Sequence, residues 1–188
     1  MKSSELFLHL MNYYSEAISR VELNFLKLSF EQINHKPSPE KWSCGECFEH
    51  LLKTNGLYIP IFNKLINQLV DQKNDNGEEF RNTFTGKFII KTVDPEQIKR
   101  YKSPKAFRLS VSNVRNDVIQ KFLDQEKQLF TLIQKFEGKD LNKIKVTSPA
   151  SVMIRYNLGD CLTILAYHNK RHINQAEKAL NSFAPIIK

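Results

Sequence analysis

Cysteine is scarce in this 188-residue chain, which holds three. So low and odd a count excludes a disulfide-stapled scaffold and fits a reducing, cytoplasmic setting. Six glycines and seven prolines exclude collagen-like and linker-like material. No apolar run approaches the roughly 18 residues that a membrane-spanning helix needs, so no membrane segment is expected. The opening Met1-Lys2-Ser3-Ser4-Glu5 leads straight into an amphipathic pattern. It lacks a continuous apolar stretch before a small-residue cleavage site, so no secretory signal is expected. Acidic residues are outnumbered, 20 against 28 Lys and Arg, for a formal charge of +8. With 41% hydrophobic and 26% charged residues, the chain is neither disordered nor fibrous. Its length suits a single domain over 1–188, large enough to bury a core without staples.

Helical periodicity is what the sequence has in abundance. Leu6, Leu10, Tyr13, Ala17, Val21, Phe25 and Leu28 recur in steps of three or four, one apolar stripe on a helix of about 25 residues. Pro37 and Pro39 then mark a loop. Ser43-Cys44-Gly45-Glu46 forms a capping box that opens a second helix, predicted to end near Val70. Val111, Val114, Val118, Phe122, Leu129, Ile133 and Phe136 mark a third, closed by Gly138. Asn157-Leu158-Gly159-Asp160 opens a fourth, with Asn as its cap and an acid in its first turn. That helix runs to about Ser182, before Pro185.

These features predict an all-α fold, a four-helix bundle. The second and third helices are separated by about 40 residues, long for a loop inside a compact domain. The length makes sense if those two helices are parallel and the chain travels back along ~40 Å of helix. The shorter connections fit antiparallel neighbours, so the expected order is up-down-down-up with a long crossover. Short pieces such as Phe88-Ile89-Ile90 are expected to lie extended across the bundle.

Of five histidines, His9 and His35 read as surface or packing residues. His168 and His172 differ. Four residues apart, they share one helix face, the one that also carries Leu158, Cys161, Leu165, Ala176 and Ala179. Two imidazoles in an apolar setting are costly unless their nitrogens find partners. Protonating both would add like-charge repulsion. A shared metal ion removes both problems by taking a lone pair from each neutral ring; core waters or carbonyls are the other way to satisfy them. His50 lies about two turns into the second helix, which runs antiparallel to the fourth in the expected order. It lies ~10 Å from its helix start, and His172 ~15 Å from the end of its own. The three sit roughly level, as a three-nitrogen site with open positions for water or substrate. Glu46 and Gln175 are candidates to support the rings from behind.

Trp42-Ser43-x-x-Glu46-x-x-x-His50-Leu51, followed by Leu158-Gly159-Asp160 and His168-x-x-x-His172-x-x-Gln175, resembles the DinB-like superfamily, the damage-inducible metal-binding bundles. The resemblance runs from Pro37 to Leu180. It implies the up-down-down-up bundle, one divalent metal (commonly zinc or nickel) on His50, His168 and His172, and frequent homodimers. It also implies a metal-dependent activity on a small-molecule substrate. Relatives include transferases and isomerases that use a low-molecular-weight thiol, such as bacillithiol or mycothiol, and metal-dependent hydrolases. No residue selects among these activities. A non-catalytic, metal-stabilised bundle acting as a binding or stress-response interaction protein is the alternative.

Three other features bear on the chemistry. His168-Asn169-Lys170-Arg171-His172 lacks the glutamate of a zincin motif, since Asn169 stands in its place. Cys44-x-x-Cys47 opens the second helix, where a reactive thiol pair is conceivable, but both fall on the apolar side, which favours packing. Between Gly86 and Arg108, seven basic residues face Asp94 and Glu96, giving 7 − 2 = +5. A basic surface is expected there, open to an anionic substrate. No nucleic-acid-binding signature accompanies it, so nucleic acid is not an expected partner.

Overall fold

Local capping sets the element boundaries. The computed structural model describes residues 1–69, 77–97, 104–109 and 114–183. Helix α1 (Ser3–Asn24) buries Leu6, Leu10, Tyr14, Ala17 and Val21 along one face. It stops sooner than its apolar stripe suggests. Phe25 is fully buried just past its end, and Ser29 restarts the chain as α2 (Phe30–Asn34) through its own capping box with Gln32. At α3 (Cys44–Gln68) the predicted box is present. The Ser43 Oγ accepts from the Glu46 amide at 3.1 Å, and the Ser43 amide donates to Glu46 Oε2 at 2.8 Å.

Helix α4 (Phe84–Val93) lies within the long crossover. The expectation of extended chain at Phe88-Ile89-Ile90 is therefore wrong. Their aromatic and β-branched side chains favour strand, but Thr83 caps a helix here by accepting from the Gly86 amide at 2.9 Å. A tertiary anchor holds that start in place. Asp160 accepts from Asn82 Nδ2, the Thr83 amide and Thr83 Oγ1 at 2.7–2.9 Å. Gly86 makes the approach possible, because a Cβ there would collide with the Asp160 carboxylate. At the other end of α4, Arg171 Nη1 donates to the Thr92 and Asp94 carbonyls. A guanidinium satisfies the terminal carbonyls and opposes the negative end of the helix.

Helix α5 spans Val118–Gln134, and Val111, placed in it by periodicity, lies outside the described residues. Gly138 follows at φ 69°, a left-handed conformation that suits glycine. A short antiparallel pair, β1 (Lys145–Thr147) and β2 (Arg155–Asn157), has Val146 opposite Tyr156. The fold is thus mostly helical, with one small sheet that periodicity did not anticipate. Asn157 then caps α6 (Leu158–Asn181) by accepting from the Asp160 amide at 2.8 Å.

The four long helices enclose two apolar clusters. α5 and α6 each pack against both α1 and α3. One cluster includes Leu10, Tyr14, Phe62, Leu129 and Leu162. The other includes Val21, Phe25, Phe48, Phe122 and Ile173. Each such side chain contributes about 1.5–3 kcal/mol on burial. Between the clusters lies a polar seam. Glu126 of α5, fully buried, accepts from Asn55 Nδ2 of α3 at 3.0 Å and from Asn169 Nδ2 of α6 at 2.8 Å. Among the described residues, no helix is long and apolar enough to cross a membrane.

Candidate metal centre

Helices α3 and α6 bring His50, His168 and His172 together. One ring nitrogen from each lies within 4.8 Å of the others. The His50 and His168 Nε2 atoms are 3.0 Å apart, and the ring centroids of His172 lie 4.6 Å from both neighbours. His50 is buried, while His168 and His172 are partly exposed to a cavity of about 1010 Å³. Trp42 closes one side. Its ring stacks on His172 at 5.5 Å and meets His50 at 5.0 Å.

The electrostatics keep all three rings neutral. Burial pulls His50 below the ordinary 6.5, and Lys53 adds to the fall, against the Phe107 carbonyl. Burial likewise pushes His168 and His172 well below that value. The neighbouring histidines and Arg171 reinforce it, and a hydrogen bond accepted by Gln175 opposes it at His172. Neutral imidazole is the form that offers a lone pair to a metal.

The hydrogen bonds fit the same purpose. His50 Nδ1 donates to the Phe107 carbonyl at 2.8 Å, which leaves Nε2 as a bare lone pair. That lone pair faces His168 Nε2. The Nδ1 atoms of His168 and His172 are buried and have no partner. Three neutral nitrogen donors, one orienting carbonyl and two orphaned ring nitrogens suit a divalent cation, which would satisfy the converging lone pairs at once.

Of the two residues expected to support the rings, Gln175 engages His172. Glu46 is committed elsewhere, to the Ser43 amide and to Lys36 Nζ at 2.9 Å. Asn169 faces the polar seam rather than the histidines. His9 is exposed and packs on Tyr13, while His35 packs on Phe183 beside Ser182. Both lie away from the site, as expected. Cys44 and Cys47 are fully buried, and burial pushes the Cys44 thiol up to about 12. Packing, not reactivity, is their role. Of the basic crossover residues, Lys87, Lys91, Lys105 and Arg108 are exposed. Lys99, Arg100 and Lys102 lie outside the described residues.

Sequence reasoning missed the Phe107 carbonyl, which comes from a 3₁₀ turn at Lys105–Phe107 far along the chain. No local signal marks a backbone acceptor. It also missed Glu126, although an acid between Phe122 and Leu129 on an apolar stripe was a visible anomaly.

A helical bundle with three histidines converging from two of its helices defines a class of metal-competent proteins. Comparison with known families matches residues 13–176 to the DinB superfamily, and the chain belongs to it. No curated protein and no solved structure matches the chain.

Proposed function

We propose that this protein is a single-domain metalloprotein holding one divalent ion, zinc or nickel, on His50, His168 and His172. The observation that carries this reading is the convergence of one ring nitrogen each from His50, His168 and His172 within 4.8 Å, on rings of which two also hold a buried Nδ1 without a partner. Paired contacts support the up-down-down-up order. Tyr14 meets Leu162 and Arg20 meets Glu177, so residue numbers climb together on α1 and α6. Phe48 meets Phe122 and Phe62 meets Phe136, so they climb together on α3 and just beyond α5. His50 meets His168 while Tyr58 meets Tyr156, so they oppose on α3 and α6.

The activity proposed is a metal-dependent transfer or hydrolysis on a small-molecule substrate, with a low-molecular-weight thiol as the candidate co-substrate. A divalent ion in such a site acts as a Lewis acid and lowers the pKa of a bound water or thiol. The chain's own residues do the rest. The Phe107 carbonyl fixes the tautomer of His50. Trp42 holds the His50 and His172 rings in place and shields them from water. The adjoining cavity gives a substrate access. The three free, buried cysteines support a reducing, cytoplasmic compartment. Homodimer formation is proposed from the superfamily resemblance.

Metal analysis of the purified protein tests the site. One divalent ion per chain is expected, and none in His168→Ala. Unchanged metal content in that variant refutes the assignment. Full metal retention without turnover on thiol-transfer and hydrolysis panels would instead favour the non-catalytic alternative.

A further inference from the structure

The cavity beside the histidines extends both ways along α6. Beyond His172 it reaches Gln175 and Lys178, and before His168 it reaches Leu165 and Ile164. The second direction forms a distinct arm. α4 runs alongside it, since its start is bonded to Asp160 and its end to Arg171. Phe88 and Ile89 therefore stand opposite Ile164 and Leu165, and all four line the cavity. The walls are apolar. At the far end the Tyr58 and Tyr156 hydroxyls hydrogen-bond each other at 2.8 Å, with Ser148 alongside. Tyr58 lies two turns beyond His50 on α3, about 12 Å along the helix.

Thr54 supplies an independent observation. It lies one turn beyond His50 on the same face of α3, lines the cavity, and is 4% exposed. Its Oγ1 has no hydrogen-bond partner. A buried hydroxyl without a partner is costly, and here it stands between the histidines and the apolar arm.

We propose that this arm binds linear, largely apolar molecules that carry an oxygen head group. The head sits at the three histidines and accepts a hydrogen bond from Thr54 Oγ1. The chain runs between α4 and α6 toward the tyrosine pair, where a terminal polar group finds partners. This rests on the metal reading, and it names the substrate class that reading leaves open: medium-chain acyl or alkyl compounds rather than compact polar ones.

The test uses straight-chain alkyl hydroxamates of increasing length, titrated calorimetrically into the metal-loaded full-length protein. Acetohydroxamate reports the metal end alone. Affinity should then rise about fourfold per added methylene until the arm is filled, and level off. Phe88→Ser, at an exposed position that tolerates change, should flatten that rise without altering acetohydroxamate binding. Thr54→Val should weaken every member by about fivefold, with Thr54→Ser restoring it. Metal-dependent acetohydroxamate binding with no gain from chain length overturns the arm proposal while leaving the metal reading intact. Failure of acetohydroxamate to require metal overturns both. Equal binding by Thr54→Val removes Thr54 from the site.

Discussion

Replacing Glu126 with glutamine should change how stability depends on pH. Glu126 is fully buried, and burial raises its carboxyl to about 8, against a hydrogen bond from Asn169 that pulls the other way. In the unfolded chain the group titrates near 4.5. The folded protein therefore holds a proton at neutral pH that the unfolded chain releases. This stabilisation is complete below pH 4.5 and is lost as pH rises toward 8. At ~1.4 kcal/mol per pH unit, the interval amounts to at most about 5 kcal/mol. The neighbours offset that burial only in part. No cation is among the groups that touch Glu126: its carboxyl accepts only from the neutral amides of Asn55 and Asn169 in the contacts described. Glutamine keeps the shape and stays neutral at every pH. Thermal unfolding followed by circular dichroism, on metal-free protein with chelator present, isolates the effect. The buried histidines titrate in both proteins and cancel in the difference. Stability of Glu126→Gln relative to the native protein should climb steadily from pH 4.5 to 8. The ceiling is roughly 10–20 °C in Tm for a chain of this size. A difference that does not vary with pH, or that shrinks as pH rises, refutes a protonated Glu126.

The depressed histidines predict that the metal remains bound at pH 6.5, where ordinary imidazoles are half protonated, and leaves only at lower pH; dialysis across pH 4–8 with metal analysis would contradict this by showing half-release at 6.5 or above. The three cysteines should resist a thiol reagent in the folded protein and react together only on unfolding. Rapid labelling of Cys44 in the native state would show its burial to be wrong.

Much of the site was legible because it follows helical arithmetic. The four-residue step between His168 and His172 puts them on one face, and the capping box at Ser43 fixes where His50 falls. What escaped was non-local. Asp160 reads as an ordinary first-turn acid, favourable at a helix start, yet its carboxylate is spent on the beginning of α4. Nothing in Phe88-Ile89-Ile90 reveals a helix until that anchor and the space at Gly86 are known. The break between Phe25 and Ser29 was hidden because the apolar stripe continues across it. The β1–β2 pair is too short for alternation to stand out. Phe107 contributes a backbone oxygen, which side-chain patterns do not encode.

The suspension of α4 from Asp160 and Arg171 has an evolutionary corollary. Both attachment points sit on the helix that carries two of the three imidazoles. Adding or deleting one residue between Asp160 and His168 would swing His168 and His172 around the axis by about 100° relative to Asp160, and Arg171 would swing with them, away from the carbonyls it braces. Two unrelated demands thus fix the length of this stretch. Divergent chains sharing this architecture should freely exchange its residue types yet keep its spacing unchanged.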